Sequence, residues 1–189
     1  MFDHINREAL MNIFQLIKND HIKISACLKR LSKTNEDQYD LRERIFAQLK
    51  TFLIPHSRAE EFAVYTALKT SGRTRDIGFE AKEEHELVDH LVEQLDTLAK
   101  SSEIWTAKMR LLKDMLDRHI KQEEVTTFRK MKKAFKPQDL EEMRKAMQTF
   151  KKNFKEDMGL ATPQKWGRVS HSGMEDEKSW REPAGPKFA

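Results

Sequence analysis

The sequence predicts an all-α fold: an antiparallel up-down four-helix bundle with an additional C-terminal amphipathic helix and a flexible tail. Three observations predict it. Apolar residues step by three and four through four successive segments, the spacing that lines one face of a helix. No segment alternates apolar with polar residues as a half-buried strand does. Four of the six glycines and three of the five prolines fall after residue 158, so little interrupts a helix before that point.

The first helix carries Leu10, Phe14, Ile17, His21, Ile24, Leu28 and Leu31, and the polar run SKTNEDQ ends it. The second carries Leu41, Ile45, Leu49, Phe52, His56, Glu60, Ala63 and Ala67, and closes at SGRTRD. Pro55 lies inside it and predicts a kink or slipped hydrogen bond just before His56. The third carries Ala81, His85, Val88, Val92, Leu95 and Leu98; the fourth carries Leu112, Leu116, His119, Glu123 and Thr127. Short connections make consecutive helices antiparallel neighbours. Residues 1–133 are thus expected to form the bundle. Pro137 suits the first turn of a helix over 137–158, whose stripe is Leu140, Met143, Met147, Phe150, Phe154 and Met158 and which packs across the bundle. Residues 159–189 lack periodicity and are expected to form the tail, which holds Trp166 and Trp180.

The formal charge of +4 is concentrated, because Arg129 to Lys155 holds ten basic residues against three acids, or +7. The rest of the chain is therefore slightly acidic, and the basic segment reads as a solvated face rather than a nucleic-acid footprint. No apolar run approaches the roughly 20 residues that span a bilayer, and MFDHINREAL lacks the design of a signal peptide. A cytoplasmic address is expected, and the single cysteine, Cys27, reads as a small buried hydrophobe.

Two short stretches carry the chemistry. HSRAEE begins at His56 and HIKQEE at His119, each reading H-x-x-x-E-E. Residues four apart lie one turn apart on one helix face, so His56 projects with Glu60 and His119 with Glu123. Both pairs fall on apolar stripes, and His21 and His85 fall on the other two. Four histidines and two carboxylates buried without compensation would cost several kcal/mol per unpaired charge. A metal offsets such a cluster, and imidazole with carboxylate and no thiolate suits a first-row transition metal rather than structural zinc. Two carboxylates on facing helices can bridge a pair of ions. HELVDH, from His85 to His90, departs from the zincin H-E-x-x-H by one residue, which turns His90 about 140° away from His85. Asp89 is a reserve ligand, and Glu61 and Glu124 could support the ligands from behind or lie at the surface; Tyr65 could approach the pocket as a hydrogen-bond donor, with packing its more ordinary role.

The order NDH (His21), HSRAEE (His56, Glu60), EEHEL (His85) and HIKQEE (His119, Glu123) resembles the hemerythrin HHE cation-binding family over roughly residues 10 to 133. The resemblance implies an up-down bundle around a non-haem di-iron centre with a bridging oxo or hydroxo group, the same donors also suiting manganese or zinc. It implies His21, His56, His85 and His119 as ligands and Glu60 and Glu123 as bridges. Oxygen-carrying members place a further histidine where this chain has Ala81. Counting donors then fills about ten of twelve positions on two six-coordinate irons and leaves roughly two open. The implied function is to bind or respond to oxygen, nitric oxide or peroxide, or to take part in iron handling or iron-centre repair. The competing reading is a metal-free helical interaction module that meets a protein partner through its basic C-terminal helix and tail.

Overall fold

The structure, a computed structural model, describes residues 12–157. The predicted tail, with Trp166 and Trp180, lies outside the described residues, as do Leu10 and Met158. Within them the chain is helical throughout: α1 (Ile13–Leu31), a 3-10 turn (Glu36–Gln38), α2 (Tyr39–Glu60), α3 (Thr66–Thr70), α4 (Arg75–Thr97), α5 (Glu103–Gln122), α6 (Phe128–Ala134) and α7 (Pro137–Asp157). Two π turns, Glu61–Tyr65 and Glu123–Thr127, join α2 to α3 and α5 to α6, so each pair forms one continuous rod. The bundle thus has four rods, with α1 against α2 and α5, and α4 against α3 and α5. Helix α7 is the fifth, laid on α1, α2 and the first π turn.

Each start has a local cause. The Asn12 side chain accepts the Gln15 N–H at 2.9 Å, and Ser102 accepts the Trp105 N–H at 3.1 Å, satisfying donors that a helix leaves open. Pro137 begins α7, and Asp139 accepts the Lys136 N–H at 2.8 Å. At the end of α4, Lys100 Nζ donates to the carbonyls of Leu95, Asp96 and Leu98. Gly78 lets α4 approach α3, since a Cβ there would meet Leu68 Cβ at 3.0 Å. Helix α2 does not break at Pro55. The ring is buried, one lost backbone bond does not end a packed helix, and a π turn follows at Glu61.

The buried apolar residues form two clusters. One runs from Ile24, Leu49 and Leu95 to Trp105 and Leu116, and includes Cys27. The other runs from Ile13 and Ile17 through Val64 and Leu68 to Phe128, Met143 and Met147. In every rod the residues between these clusters are the histidines and glutamates. A polar layer therefore cuts the core in two, and α7 seals one side through Met143, Met147 and a Phe62–Phe150 stack at 5.2 Å.

Candidate metal centre

All six residues singled out in the sequence are buried: His21 on α1, His56 and Glu60 on α2, His85 on α4, His119 on α5 and Glu123 at the head of the second π turn. His21 Nε2 is 3.2 Å from Glu123 Oε2, and His56 Nε2 is 3.4 Å from Glu60 Oε2. His85 Nε2 is 3.9 Å from the same Glu60 oxygen and 3.4 Å from His119 Nε2. Among the described residues two groups can offer donor atoms within 4.8 Å of one another: His21, His56 and Glu60, and Glu60, His85 and His119. Glu60 belongs to both, and Glu123, beside His21, belongs to neither.

The outward face of each histidine lies against an acid, hydrogen-bonded for His21, His85 and His119 and at ion-pair distance for His56. The Nδ1 atoms of His21, His85 and His119 lie 2.9, 3.3 and 2.8 Å from Glu124, Glu61 and Glu84, and His56 Nδ1 lies 3.4 Å from Asp20. Each of these acids is the sequence neighbour of one of the six residues, yet it holds a histidine of a different rod. Asp20 links α1 to α2, Glu61 links α2 to α4, Glu84 links α4 to α5, and Glu124 closes the ring back to α1. An acid accepting from Nδ1–H leaves Nε2 as a lone pair facing inward, the tautomer a metal ligand needs. Glu61 and Glu124 were legible as supports. Asp20 and Glu84 were not, because adjacency to a histidine on one helix says nothing about a histidine on the next.

The π turns explain Tyr65. Five residues beyond Glu60 on a regular helix, it would point about 140° away. The widened turn, marked by Thr66 N–H donating to the Glu61 carbonyl, brings it back. Its hydroxyl donates to Glu60 Oε2 at 3.2 Å and lies 3.0 Å from His85 Nε2, so packing is not its main role. The second π turn, closed by Phe128 N–H on the Glu123 carbonyl, gives no such donor. Asp89, the reserve ligand, is instead bound by Arg58 Nη2 at 2.5 Å, and His90 is exposed.

The layer is electrostatically unfinished as protein alone. In the layer, Glu60 Oε1, both Glu123 oxygens, His21 Nε2 and His56 Nδ1 are buried without hydrogen-bond partners. Burial, with Glu123 and Asp20 nearby, pushes Glu60 well above the usual carboxylate range. Burial acts the same way on Glu123, but His21, His119 and His56 outweigh it and hold that carboxyl low. Burial also pushes His56 down to about 4. His85 Nε2 and His119 Nε2 face each other at 3.4 Å, and with both Nδ1 atoms protonated towards their acids the two lone pairs would repel without a cation between them. The residues therefore fit a metal. Their donors are imidazole nitrogen and carboxylate oxygen, and the one thiol, Cys27, is away in the apolar core.

Beside the layer is a cavity of about 10 Å³ lined by Tyr65, Ala81, Glu84, His119, Glu123 and Thr127 among others. That is about the room of one water. Ala81 borders it, and a larger side chain there would fill it.

A helical bundle whose core is cut by such a layer is, as a class, a cation-binding four-helix bundle. The model of the hemerythrin HHE cation-binding domain family matches residues 12–131, and the chain belongs to that family. Among solved structures, the hemerythrin HHE cation-binding domain-containing protein of Mycobacterium kansasii aligns with a TM-score of 0.69 at 21% identity, covering 84% of this chain and 95% of its own. A curated relative from Nostoc sp. (strain PCC 7120), named DNA nickase, is 29% identical over 121 residues, 62% of this chain and 33% of its own length. The chain thus spans about a third of that relative. Among the described residues no helix is long and apolar enough to cross a membrane.

Proposed function

We propose that the layer holds two iron ions, with His21, His56, His85 and His119 as nitrogen ligands and Glu60 and Glu123 as carboxylates shared between them, and that the pair binds or responds to oxygen, nitric oxide or peroxide. The observation that carries this reading is the inward convergence of four imidazoles, each with an acid behind it, on a layer that holds carboxylate oxygens without partners. Bound iron supplies positive charge for these oxygens and open positions for a small ligand. The cavity at Ala81 supports a diatomic or peroxide rather than a larger substrate. A metal-free interaction module would have to leave five buried polar atoms of the layer without hydrogen-bond partners.

The test is metal content per chain together with the visible spectrum of the aerobically purified protein. About two irons, with near-ultraviolet oxo-to-iron bands that His56→Ala or His119→Ala abolishes, is the expected result. No metal, even after reconstitution with ferrous iron, would overturn the proposal. An iron-handling role predicts something different. A protein that hands on its iron gives it up readily to a chelator, whereas these six buried donors are expected to hold it.

A further inference from the structure

The family match ends at residue 131, six residues before α7 begins. Yet α7 reaches the metal layer. Met143 and Met147 are fully buried in the core, Phe150 stacks on Phe62, and the next residue, Lys151, places its ammonium on Asp20 Oδ2. Asp20 Oδ2 is the oxygen that lies 3.4 Å from His56 Nδ1.

We propose that Lys151 is a positioning residue of the metal centre, and that α7 is thereby part of the site: Lys151 orients Asp20, which orients His56. This rests on His56 being a ligand. Three of the four supporting acids have a cation of their own. Glu61 has Arg58 and Lys82, and Glu124 has Lys18, but these cations come from the bundle and are 31 to 42% exposed. Lys151 comes from α7 and is 16% exposed, so its pairing is the least screened by solvent. Asp20 also differs from the other three acids in being buried, with only Lys23, at 4.0 Å, as a second cation. A buried carboxylate stripped of its partner is costly and does not keep its place, and His56 would then lose the contact that aims Nε2 inward. Burial works to raise the Asp20 pKa, but His56 and Lys151 overcome it.

The test compares Lys151→Met, Lys151→Arg and the neighbouring Lys152→Met in the full chain. In the metal-free protein, imidazole nitrogen-15 shifts report the His56 ring directly. Lys151→Met is expected to disturb that ring while His119 keeps its shifts, and Lys151→Arg to restore it. In the iron-loaded protein, Lys151→Met is expected to weaken one of the two ions about tenfold, the low end for loss of a supporting contact. Lys152→Met should change neither. An unaltered His56 ring with both ions held as in the parent would overturn the proposal. So would a change at all four histidines alike, since that marks general loosening of the bundle. A parent chain that binds no iron would sink the function proposed above, while the metal-free ring shifts would still decide the role of Lys151.

Discussion

The two H-x-x-x-E-E stretches read alike in sequence but sit in different surroundings. After His56 the π turn starts at the second glutamate and ends on Tyr65; after His119 it starts at the first and ends on Thr127. Nine residues past each histidine the first copy has Tyr65 on Glu60, and the second has Phe128 packed on Phe14 with ring centroids 4.9 Å apart. The carboxylates diverge accordingly: burial and like charges push Glu60 up, whereas histidines draw Glu123 down. A repeated motif therefore does not make a symmetric site. Each copy is set by the helix packed against it.

Glu60→Ala and Glu123→Ala break this comparison with the largest effect. Glu60 belongs to both donor groups, so its loss should empty the site, while Glu123→Ala should leave residual iron. Loss of bound metal removes stabilisation by mass action, about 3–4 kcal/mol at a hundred to a thousand times Kd, so the iron-loaded protein should melt markedly lower. Iron analysis and calorimetry on both variants check this. Equal iron and unchanged melting in the two would end the bridging role and the asymmetry together. Metal-free Glu60→Gln should melt no lower than the metal-free parent, because the amide replaces a carboxyl whose ionisation burial and Glu123 already oppose.

The supporting ring comes next. Glu61→Gln and Glu124→Gln keep size but weaken the hold on Nδ1, and each should cost roughly 10- to 100-fold in metal affinity. Glu61 should cost more, because Arg58 and Lys82 both anchor its carboxylate, whereas Glu124 has Lys18 at 3.4 Å. Competition with a coloured chelator reads both. Equal losses would show that charge at the acid, not its anchoring, sets the affinity.

The sequence carried the bundle and the six inward residues because helical period alone places them: stripes at three and four put His21, His56, His85 and His119 among leucines. The features it did not carry all depend on something other than that period. Tyr65 reaches Glu60 only because a π turn adds a residue to one turn. Asp20 and Glu84 meet their histidines across helices, and Lys151 meets Asp20 from a fifth helix. Pro55, the one local signal of irregularity, lies inside α2 and does not announce the π turns at Glu61 and Glu123.

Acid pH gives a smaller test in the metal-free chain. Burial depresses His56 from 6.5 to about 4, so the folded state prefers the neutral ring. The stability this provides is present above pH 6.5 and is lost as pH falls through about 4. Chemical denaturation of the parent and of His56→Gln should therefore differ less at pH 4 than at pH 7. A constant difference would mean that the ring is solvated.

The smallest effect comes from exchanging the ninth residues. Tyr65→Phe removes one buried hydrogen bond and should cost about 1 kcal/mol, leaving the metal content intact. Phe128→Tyr adds a hydroxyl to a ring packed on Phe14 in the apolar cluster and should cost about 1–3 kcal/mol. Denaturant melts of the two single variants and the double variant measure this. If the copies were equivalent, the second tyrosine would find Glu123 as the first finds Glu60, and Phe128→Tyr would cost nothing. A larger penalty for Phe128→Tyr than for Tyr65→Phe, undiminished in the double variant, places the asymmetry in the packing around each π turn rather than in the tyrosine itself.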